Sequence, residues 1–378
     1  MYTYAFLLGR EPALSIAELK SLFSEVEQRG DFALIKAENS EIEKHRNSLW
    51  GTIKIGRIFA ESVKKSDIVD IAAWKIASKA QPEKKLRIGI DTFVPALSSL
   101  VFKVKDILKT WWHSIRVVQH DHGRLKTATT IHEKLLEQGV ELMIFPDKNG
   151  FTLAETVWVQ DIESYSQRDM DRDRSMTVGM MPPKIAQILT NLATKGDKDM
   201  ILWDPFCGLG TTLIEAFHAW YNFLRGSDIE STMVQTTQKN MEKQPLYSEK
   251  LDLHTFLLDA KSLNTYKLSR PTVVVTEGML GRNFTSATLT QQGALQERKN
   301  LTLLYTDFLK SAYQNNHIQR MSFCLPFWNI GKETLFMPDM HTLSREWSLD
   351  TLCLSGKRYL THIRPWQCVG REIVVLER

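Results

Sequence analysis

One stretch decides the predicted fold: Asp204–Thr211, with the sequence DPFCGLGT. It follows the apolar run Met200–Trp203, and a helix is predicted to begin directly after it. A glycine-rich turn between a strand and a helix lets a ligand approach the backbone closely, and the amino end of the helix favours an anionic group. The stretch therefore predicts a ligand-binding loop at the carboxyl end of a buried strand.

Strands and helices alternate through the whole C-terminal half of the chain. Strands are predicted at residues 200–203, 223–227, 253–257, 272–275 and 321–325, with helices between them. This alternation is typical of a parallel sheet covered by helices, in which ligands bind at the carboxyl ends of the strands. Residues 359–364 and 367–376 predict a closing hairpin. We therefore expect an α/β domain over residues 178–378, a mostly parallel sheet with a C-terminal antiparallel hairpin.

Two further acids follow predicted strands in the same half. Asp228 follows the second strand and Asp259 follows the third. An Asp at a strand end is often a helix cap, but an acid about twenty residues beyond a glycine turn is where a ribose hydroxyl pair is held. The spacing from Asp204 therefore favours ribose binding for Asp228.

The run Asp204–Ala216 resembles motif I of amino-group methyltransferases that act on nucleic acids, written Asp-Pro-x-Cys-Gly-x-Gly-Thr. Residues 168–193 look like the linker and first helix of the tRNA guanine-10 N2-methyltransferase family, and Leu8–Arg10 with Leu14–Leu19 is similar to the family's N-terminal region. The resemblance implies a Rossmann-like methyltransferase domain, S-adenosylmethionine as cofactor and tRNA as partner. It also implies a THUMP domain that holds RNA, to which residues 66–160 are similar in size, charge and ending.

Carried onto this chain, the resemblance assigns cofactor binding to nine residues, with Asp259 near the adenine amino group. They are Asp204, Pro205, Phe206, Gly208, Gly210, Thr211, Asp228, Asp259 and Ala260. The sulfonium of the cofactor already activates the methyl group, so no metal is expected. The four scattered cysteines form no Cys-x-x-Cys pair, which also argues against a zinc site.

The segment after the fourth strand departs from the family pattern. Methylation of an amino group requires an acceptor for its N–H and a clamp on the flat base. The family usually provides Asp or Asn, two prolines and then Tyr or Phe. Here Thr276–Gly281 has the sequence TEGMLG, with neither a proline nor an aromatic residue.

Three interpretations of this departure stay open. In the first, Glu277 replaces the acceptor beside Thr276, and Phe284 or Met279 faces the base, so that Glu277, Thr276 and Phe284 are the candidate catalytic residues. In the second, the domain binds cofactor or RNA but has lost the transfer reaction. In the third, a different atom or a different RNA is methylated. A structural alternative for Glu277 is a helix cap, and DNA adenine methylation is disfavoured because no DNA-reading motif is present.

Basic residues are concentrated in part of the N-terminal half. The net charge of the chain is +4, but residues 79–126 contain ten Lys or Arg and four Asp or Glu. Such residues contact RNA phosphates. The candidates are Lys103, Lys105, Lys109, Arg116, Arg124 and Lys126. Trp111 and Trp112 could stack on bases or belong to a helical core, and His120 with His122 is more typical of a polar loop than of a metal site.

Four regions are expected along the chain. They are an N-terminal α+β domain at 1–65, a THUMP-like domain at 66–160, a linker at 161–177 and the methyltransferase domain at 178–378. In the first two, helices are expected from a Ser15 cap and at 68–80, 103–112 and 127–138. No apolar run approaches a membrane span and no signal-peptide pattern is present, so a cytoplasmic location is expected. The sequence leaves open whether a small activator subunit is a further partner.

Overall fold

The computed structural model describes residues 1–79, 85–111, 114–119, 121–162, 181–245, 247, 251–355 and 358–378. Two compact units divide the chain: Met1–Leu19 with Phe23–Gln167, and Lys20–Leu22 with Arg168–Arg378. Most of the linker expected at 161–177 lies outside the described residues, as do Trp112 and His120.

The N-terminal unit contains one mixed sheet with helices. The strands are β1 (Tyr2–Leu8), β2 (Val26–Arg29), β3 (Phe32–Ala37), β4 (Thr52–Val63), β5 (Leu86–Thr92), β6 (Ile115–Val118), β7 (Gly139–Asp147) and β8 (Gly150–Val159). The helices are α1 (Pro12–Leu22), α2 (Asn39–His45), α3 (Ile68–Ala77), α4 (Leu100–Leu108), α5 (Thr127–His132) and α6 (Leu135–Gln138). The sheet order is β2-β3-β1-β4-β8-β7-β5-β6. Because β4 pairs with β8, one sheet runs through both regions, 1–65 and 66–160, that the sequence predicts as separate domains.

The helices of this unit differ from the expectation in their bounds: α3 ends at Ala77 rather than at 80, and α4 is Leu100–Leu108 rather than 103–112. Helix α1 begins at Pro12 rather than after a Ser15 cap, because proline suits the first helical position, and the Ser15 hydroxyl donates to the Glu11 carbonyl instead. The helix expected at 127–138 is two short helices, since Lys134 between them has a left-handed φ of 50°.

A buried ion cluster joins three strands of this sheet. Lys54 on β4 lies 2.9 Å from Asp91 on β5 and 2.6 Å from Glu141 on β7, and it donates to the Leu125 carbonyl at 2.8 Å. Burial acts to lower the pKa of Lys54, but the two carboxylates outweigh it and the pKa is raised. The lysine is therefore charged and satisfied, which makes it a structural part of the sheet.

The C-terminal unit alternates strands and helices up to its last hairpin. The strands are β9 (Ile201–Asp204), β10 (Phe223–Asp228), β11 (Asp252–Leu257), β12 (Thr272–Thr276), β13 (Ile318–Ile330), β14 (Glu333–Phe336), β15 (Ser348–Leu349), β16 (Leu354–Ser355), β17 (Arg358–His362) and β18 (Val369–Glu377). The helices are α7 (Pro183–Thr194), α8 (Thr211–His218), α9 (Ser231–Glu242), α10 (Gln291–Gln314) and α11 (Met340–Leu343). The main sheet has the order β11-β10-β9-β12-β13-β18-β17-β16.

The strand directions confirm the predicted fold class. The five adjacent strands β11, β10, β9, β12 and β13 are parallel to one another, whereas β18 is antiparallel to β13 and to β17, between which it lies. Strand order reverses at β9, which has β10 on one side and β12 on the other. The carboxyl ends of these strands are where such sheets bind ligands.

The core under α10 is aromatic. Tyr305 and Phe308 of this helix pack with Trp203, Phe323 and Trp328, all of which are buried. The packing fixes α10 against the middle of the sheet, close to the ends of β9 and β12. No helix in the described part of the chain is both long and apolar enough to span a bilayer.

Candidate functional site

The glycine loop Asp204–Gly210 joins β9 to α8 through two left-handed glycines. Gly208 has a φ of 50° and Gly210 a φ of 85°. A Cβ atom on Gly210 would lie 3.2 Å from Cγ2 of Thr237, so a side chain there is hindered as well as strained. Glycine at this position allows α8 to begin at once with Thr211, its amino end beside the loop.

Helix α9 holds the backbone of the glycine loop. Thr237 donates to the Gly208 carbonyl at 2.8 Å, and the side-chain amide of Asn240 donates to the Leu209 carbonyl at 3.0 Å. These contacts are absent from the sequence prediction, because a Thr and an Asn inside a helix carry no signal of their target. They make the loop rigid before any ligand arrives.

Asp204 lies inside the loop rather than at its surface. Its carboxylate is 2% exposed and accepts the Phe206 N–H at 3.1 Å. Burial raises the pKa of Asp204 to about 6, against hydrogen bonds from the hydroxyls of Thr276 and Thr212. The residue thus shapes the loop and connects it to the end of β12.

Acids follow the next two strands at the same edge of the sheet. Asp228 at the end of β10 accepts the N–H groups of Gly208 at 3.0 Å and Glu230 at 3.1 Å. Asp259 after β11 accepts the Lys261 N–H at 2.9 Å, at the start of a 3-10 turn that begins at Ala260. The structure therefore brings the predicted acids to one edge.

An apolar side chain beside these acids was missed by the sequence prediction. Ile229 directly follows Asp228 and is 66% exposed. The sequence signal that could have found it is an isoleucine directly after an acid at the end of a predicted strand. Carboxylates, an apolar surface and the amino end of a helix at one edge of the sheet fit the ribose, the adenine and the amino-acid part of S-adenosylmethionine.

A second loop, Thr276–Phe284, leaves the neighbouring strand β12 and is fixed to α10. Gly278 and Gly281 have φ values of 72° and 86°. A Cβ on Gly278 would lie 2.4 Å from the Tyr305 hydroxyl oxygen, and that hydroxyl is 3.0 Å from the Met279 carbonyl. Glycine lets this loop lie directly on the helix.

Glu277 in this second loop is paired with a residue of the C-terminal hairpin. Its Oε1 accepts a hydrogen bond from Nε of Arg371 on β18 at 2.6 Å, and the two side chains are 15% and 5% exposed. Burial raises the pKa of Glu277, while Arg371 acts to lower it. The helix-cap alternative is wrong, because α10 is capped by Thr290. Sequence inspection missed Arg371.

The predicted base-facing residues differ in exposure. Phe284 is partly buried against the core, and its carbonyl accepts from the Cys368 thiol at 3.3 Å. Met279 is 46% exposed. Since β17 runs parallel to β12, the turn after β17 lies at this edge too, and it contains Trp366, which is 78% exposed.

The candidate RNA-binding cations lie around one edge of the N-terminal sheet. Lys103 and Lys105 are on α4 and Lys109 follows it, Arg116 is on the edge strand β6, and Arg124 and Lys126 precede α5. Some have acidic neighbours. Lys109 pairs with Asp106, Arg116 with Glu133 and Arg124 with Asp91. Lys103 and Lys126 are exposed and Lys105 is half-buried.

Metal-binding side chains do not gather in the described residues, where no group of three or more His, Cys, Asp or Glu could hold an ion. His122 is exposed in a short turn, and all four cysteines are buried and unbonded to each other.

The sheet topology, the glycine loop and the acids at three strand ends define a Rossmann-like methyltransferase domain. The family described as the RMKL-like methyltransferase domain matches residues 172–277. The chain therefore carries a methyltransferase domain, and S-adenosylmethionine is its cofactor.

Three known proteins illustrate its relationships. The tRNA (guanine(10)-N2)-dimethyltransferase of Methanothermobacter thermautotrophicus is 26% identical over 312 residues, 82% of this chain and 84% of that protein. The enzyme of the same name from Methanocaldococcus jannaschii is 27% identical over 172 residues, 44% of this chain and only 48% of that protein. The crystal structure of TrmN from Thermus thermophilus aligns over all of both chains with a TM-score of 0.50 and 14% identity, a likeness of fold.

Proposed function

We propose that this protein transfers a methyl group from S-adenosylmethionine to the N2 amine of a guanosine in tRNA, at a site of the position-10 type. The observation that carries the proposal is the position of the Glu277 carboxylate beside the glycine loop. This carboxylate is held at 2.6 Å by Arg371, in a loop whose first residue, Thr276, hydrogen-bonds Asp204 of the glycine loop. The names of both tRNA-modifying relatives support the same substrate.

In the proposal, the cofactor is held at the carboxyl edge of the sheet. Asp228 binds the ribose hydroxyls, Asp259 and the Ala260 N–H face the adenine, and the backbone of Pro205–Thr211 faces the amino-acid part. When bound there, S-adenosylmethionine would supply a methyl group activated by its positive sulfur, and the electrons of the broken C–S bond would stay on that sulfur. Asp204 keeps the loop in shape.

Glu277 acts on the guanine amine. The nitrogen lone pair is delocalised into the ring, and it becomes nucleophilic only when the amine is oriented and desolvated. Because Arg371 binds Oε1, the other carboxylate oxygen of Glu277 accepts a hydrogen bond from the N2–H group. This hydrogen bond orients the amine so that the lone pair of N2 is no longer delocalised into the ring. The nitrogen forms the new N–C bond with that pair and releases one proton, which the carboxylate takes.

Several side chains hold the target base in this proposal. Thr276 supports Glu277 from the end of β12, since its hydroxyl accepts the Gly278 N–H at 3.1 Å. Phe284 and Met279 form one apolar side of the base pocket. Trp366 stacks on the base and replaces the aromatic residue that this loop lacks.

The N-terminal unit binds tRNA through its basic edge and acts as the THUMP-like part of the protein. The six candidate cations contact phosphates, which gives affinity without sequence preference. Residues 79–126 carry a formal excess of six positive charges, ten basic against four acidic, and this favours a polyanion at that edge. A tRNA substrate implies a cytoplasmic location.

A second candidate function is cofactor or RNA binding without transfer. The family match ends at residue 277, the point where the catalytic pattern is lost, and this favours the alternative.

A transfer assay separates the two candidates. The purified protein is incubated with methyl-labelled S-adenosylmethionine and unmodified tRNA, and the nucleosides are analysed by mass spectrometry. We expect label in N2-methylguanosine. Cofactor binding without label in any RNA contradicts transfer and supports the alternative, whereas label in another nucleoside contradicts the guanine assignment.

A second experiment tests the RNA-binding edge. Reversal of charge at Lys103, Lys105 and Lys109 is expected to weaken tRNA affinity about tenfold or more at low salt and to flatten the salt dependence. Fluorescence anisotropy at several salt concentrations measures both. Reversal at the exposed Lys332 of the C-terminal unit is the control. Equal affinity of the triple variant and the wild type contradicts the assignment.

A further inference from the structure

We propose that Arg371 of the C-terminal hairpin is a positioning residue, which keeps Glu277 ionised and oriented for the amine of the substrate. The inference rests on the proposed function and deepens it, because it names the residue that makes an unusual acceptor usable.

The fold brings Arg371 to Glu277 across one intervening strand, β13. Strand β12 pairs with β13, and β18 pairs with β13 on its other side, where Arg371 faces Pro326. The arginine reaches back to the loop after β12 and donates from Nε to Oε1 of Glu277. Both side chains are largely shielded from water, at 5% and 15% exposure. The pair therefore fixes where the carboxylate points.

A charge on the shielded Glu277 is costly unless a counterion balances it. A shielded carboxylate without a counterion takes up a proton near neutral pH, and a protonated Glu277 cannot accept both the hydrogen bond and the proton of an amine. Burial already raises the pKa of Glu277, and Arg371 is the largest influence that opposes it. Loss of Arg371 would leave the carboxyl group protonated over a wider pH range.

The other groups that face Glu277 do not replace this arginine. Arg364 and His362 on the neighbouring hairpin strand and turn lower the pKa of Glu277 through longer-range attraction. Tyr305 of α10 and Cys324 of β13 have pKa values raised by burial, so both are neutral at pH 7. Arg371 is the cation in hydrogen-bond contact.

The hairpin also provides a matched control. Arg358 on β17 pairs with Glu372 of β18, a fully buried carboxylate next to Arg371 in sequence. Arg358→Met therefore breaks a similar arginine–glutamate pair in the same hairpin without removing the partner of Glu277. If Arg371 has only a structural role, Arg371→Met and Arg358→Met should have similar effects on the pKa of Glu277 and on methyl transfer.

The first readout needs no cofactor or RNA. Protein labelled with ¹³C at the glutamate carboxyl carbons is titrated by NMR, and Glu277→Gln assigns the Glu277 signal. We expect Arg371→Met to raise the pKa of Glu277 by about one unit or more, Arg371→Lys to raise it less, and Arg358→Met to leave it unchanged. An unchanged Glu277 titration in Arg371→Met overturns the proposal.

The second readout is the pH dependence of methyl transfer. We expect the acid limb of the kcat profile of Arg371→Met to move to higher pH by the shift seen in NMR, with partial recovery in Arg371→Lys. An equal loss at every pH, matched by Arg358→Met, overturns the positioning role. Thermal melting identifies any variant that fails to fold, in which case Arg371→Lys decides. If the wild type modifies no RNA, the proposed function fails, while NMR still decides whether Arg371 controls Glu277.

Discussion

The two loops of the C-terminal unit leave neighbouring parallel strands at the same edge, yet they are built from different parts of the chain. The glycine loop after β9 is held by Thr237 and Asn240, 29 and 31 residues away from their partners. The loop after β12 is held by Tyr305 and, 94 residues beyond Glu277, by Arg371. The first loop is held by α9, the second helix after it in the alternating pattern, and the second loop by the C-terminal hairpin.

This difference explains why one loop keeps a recognisable motif and the other does not. The glycines and the acid of the first loop lie within one short run of sequence, Asp204–Gly210, so its motif can be read locally. A loop supported by a distant strand can exchange its acceptor if that strand supplies a compensating charge. The Glu277–Arg371 pair is such an arrangement.

The largest expected effect is that of Glu277→Gln, which should lower kcat without weakening cofactor binding. Glu277→Gln keeps the shape of the side chain but removes its charge, so the amine loses its proton acceptor. We expect kcat for tRNA methylation to fall about 100- to 10,000-fold, the range for loss of a general base, with cofactor affinity changed less than about threefold. Steady-state kinetics and calorimetry with S-adenosylmethionine measure the two quantities.

The exposed Glu333 on β14 offers the control for this substitution. Glu333→Gln is expected to leave both quantities unchanged. Full activity of Glu277→Gln would show that the second loop has no acid–base role, and the comparison between the loops would then lose its functional meaning.

The next effect concerns the stability of the glycine loop. The pKa of Asp204 is raised to about 6 by burial, from 3.8, so the folded state holds this proton more tightly than the unfolded state. Stability is therefore lost as the pH rises from about 4 to 6, and the ionised carboxylate costs about 3 kcal/mol above that window. We expect Asp204→Asn to be more stable than the wild type at pH 8, by up to that amount, and to lose the advantage near pH 4.

Urea unfolding at both pH values measures this difference. Lower stability of Asp204→Asn at pH 8 would mean that its hydrogen bonds outweigh the cost of its buried charge. Cofactor affinity in the same variant tests whether the shape of the loop depends on the carboxylate.

Asp228→Asn is expected to act on the cofactor alone. The carboxylate accepts the Gly208 N–H and is proposed to bind the ribose hydroxyls, and an amide oxygen is a weaker acceptor for both. We expect S-adenosylmethionine affinity to fall about tenfold, with kcat at saturating cofactor reduced less than about threefold. A selective fall of kcat would instead assign Asp228 to the second loop's chemistry.

The C-terminal sheet was predictable from the sequence, whereas helix starts and contacts between distant strands were less so. The alternation of apolar runs and the hairpin predicted the C-terminal sheet, because a strand that is covered on both faces must be apolar, but β13 runs over 13 residues, well beyond the predicted 321–325. Helix starts were predicted wrongly where two residues could each begin the helix. Ser15 could cap α1, but the helix begins earlier, at Pro12. The Lys54 cluster in the first sheet was not foreseen either, since its acids come from two other strands.

The site was predictable only where its residues are neighbours in sequence. Asp204, Gly208 and Gly210 lie together in the chain, and Asp228 follows at a known spacing. Thr237, Arg371 and Trp366 reach the site through tertiary structure, and nothing in their local sequence indicates the residue they contact. The loss of the family pattern at Thr276–Gly281 was visible in the sequence, but the pairing of Glu277 with Arg371 was not.

The smallest expected effect compares one glycine from each loop. Gly210→Ala and Gly281→Ala both place a Cβ at a φ near 85°, which costs about 1 kcal/mol in each case. The new Cβ meets Thr237 at 3.2 Å in the first loop and Glu297 at 2.7 Å in the second. We therefore expect Gly210→Ala to weaken cofactor binding about fivefold, and Gly281→Ala to lower kcat about fivefold without a change in cofactor affinity.

Calorimetry on both variants measures cofactor affinity, and single-turnover kinetics measure the rate of transfer. Loss of cofactor affinity in Gly281→Ala would show that the two loops move as one body, because strain at the far end of the second loop would then pass through Thr276 to Asp204.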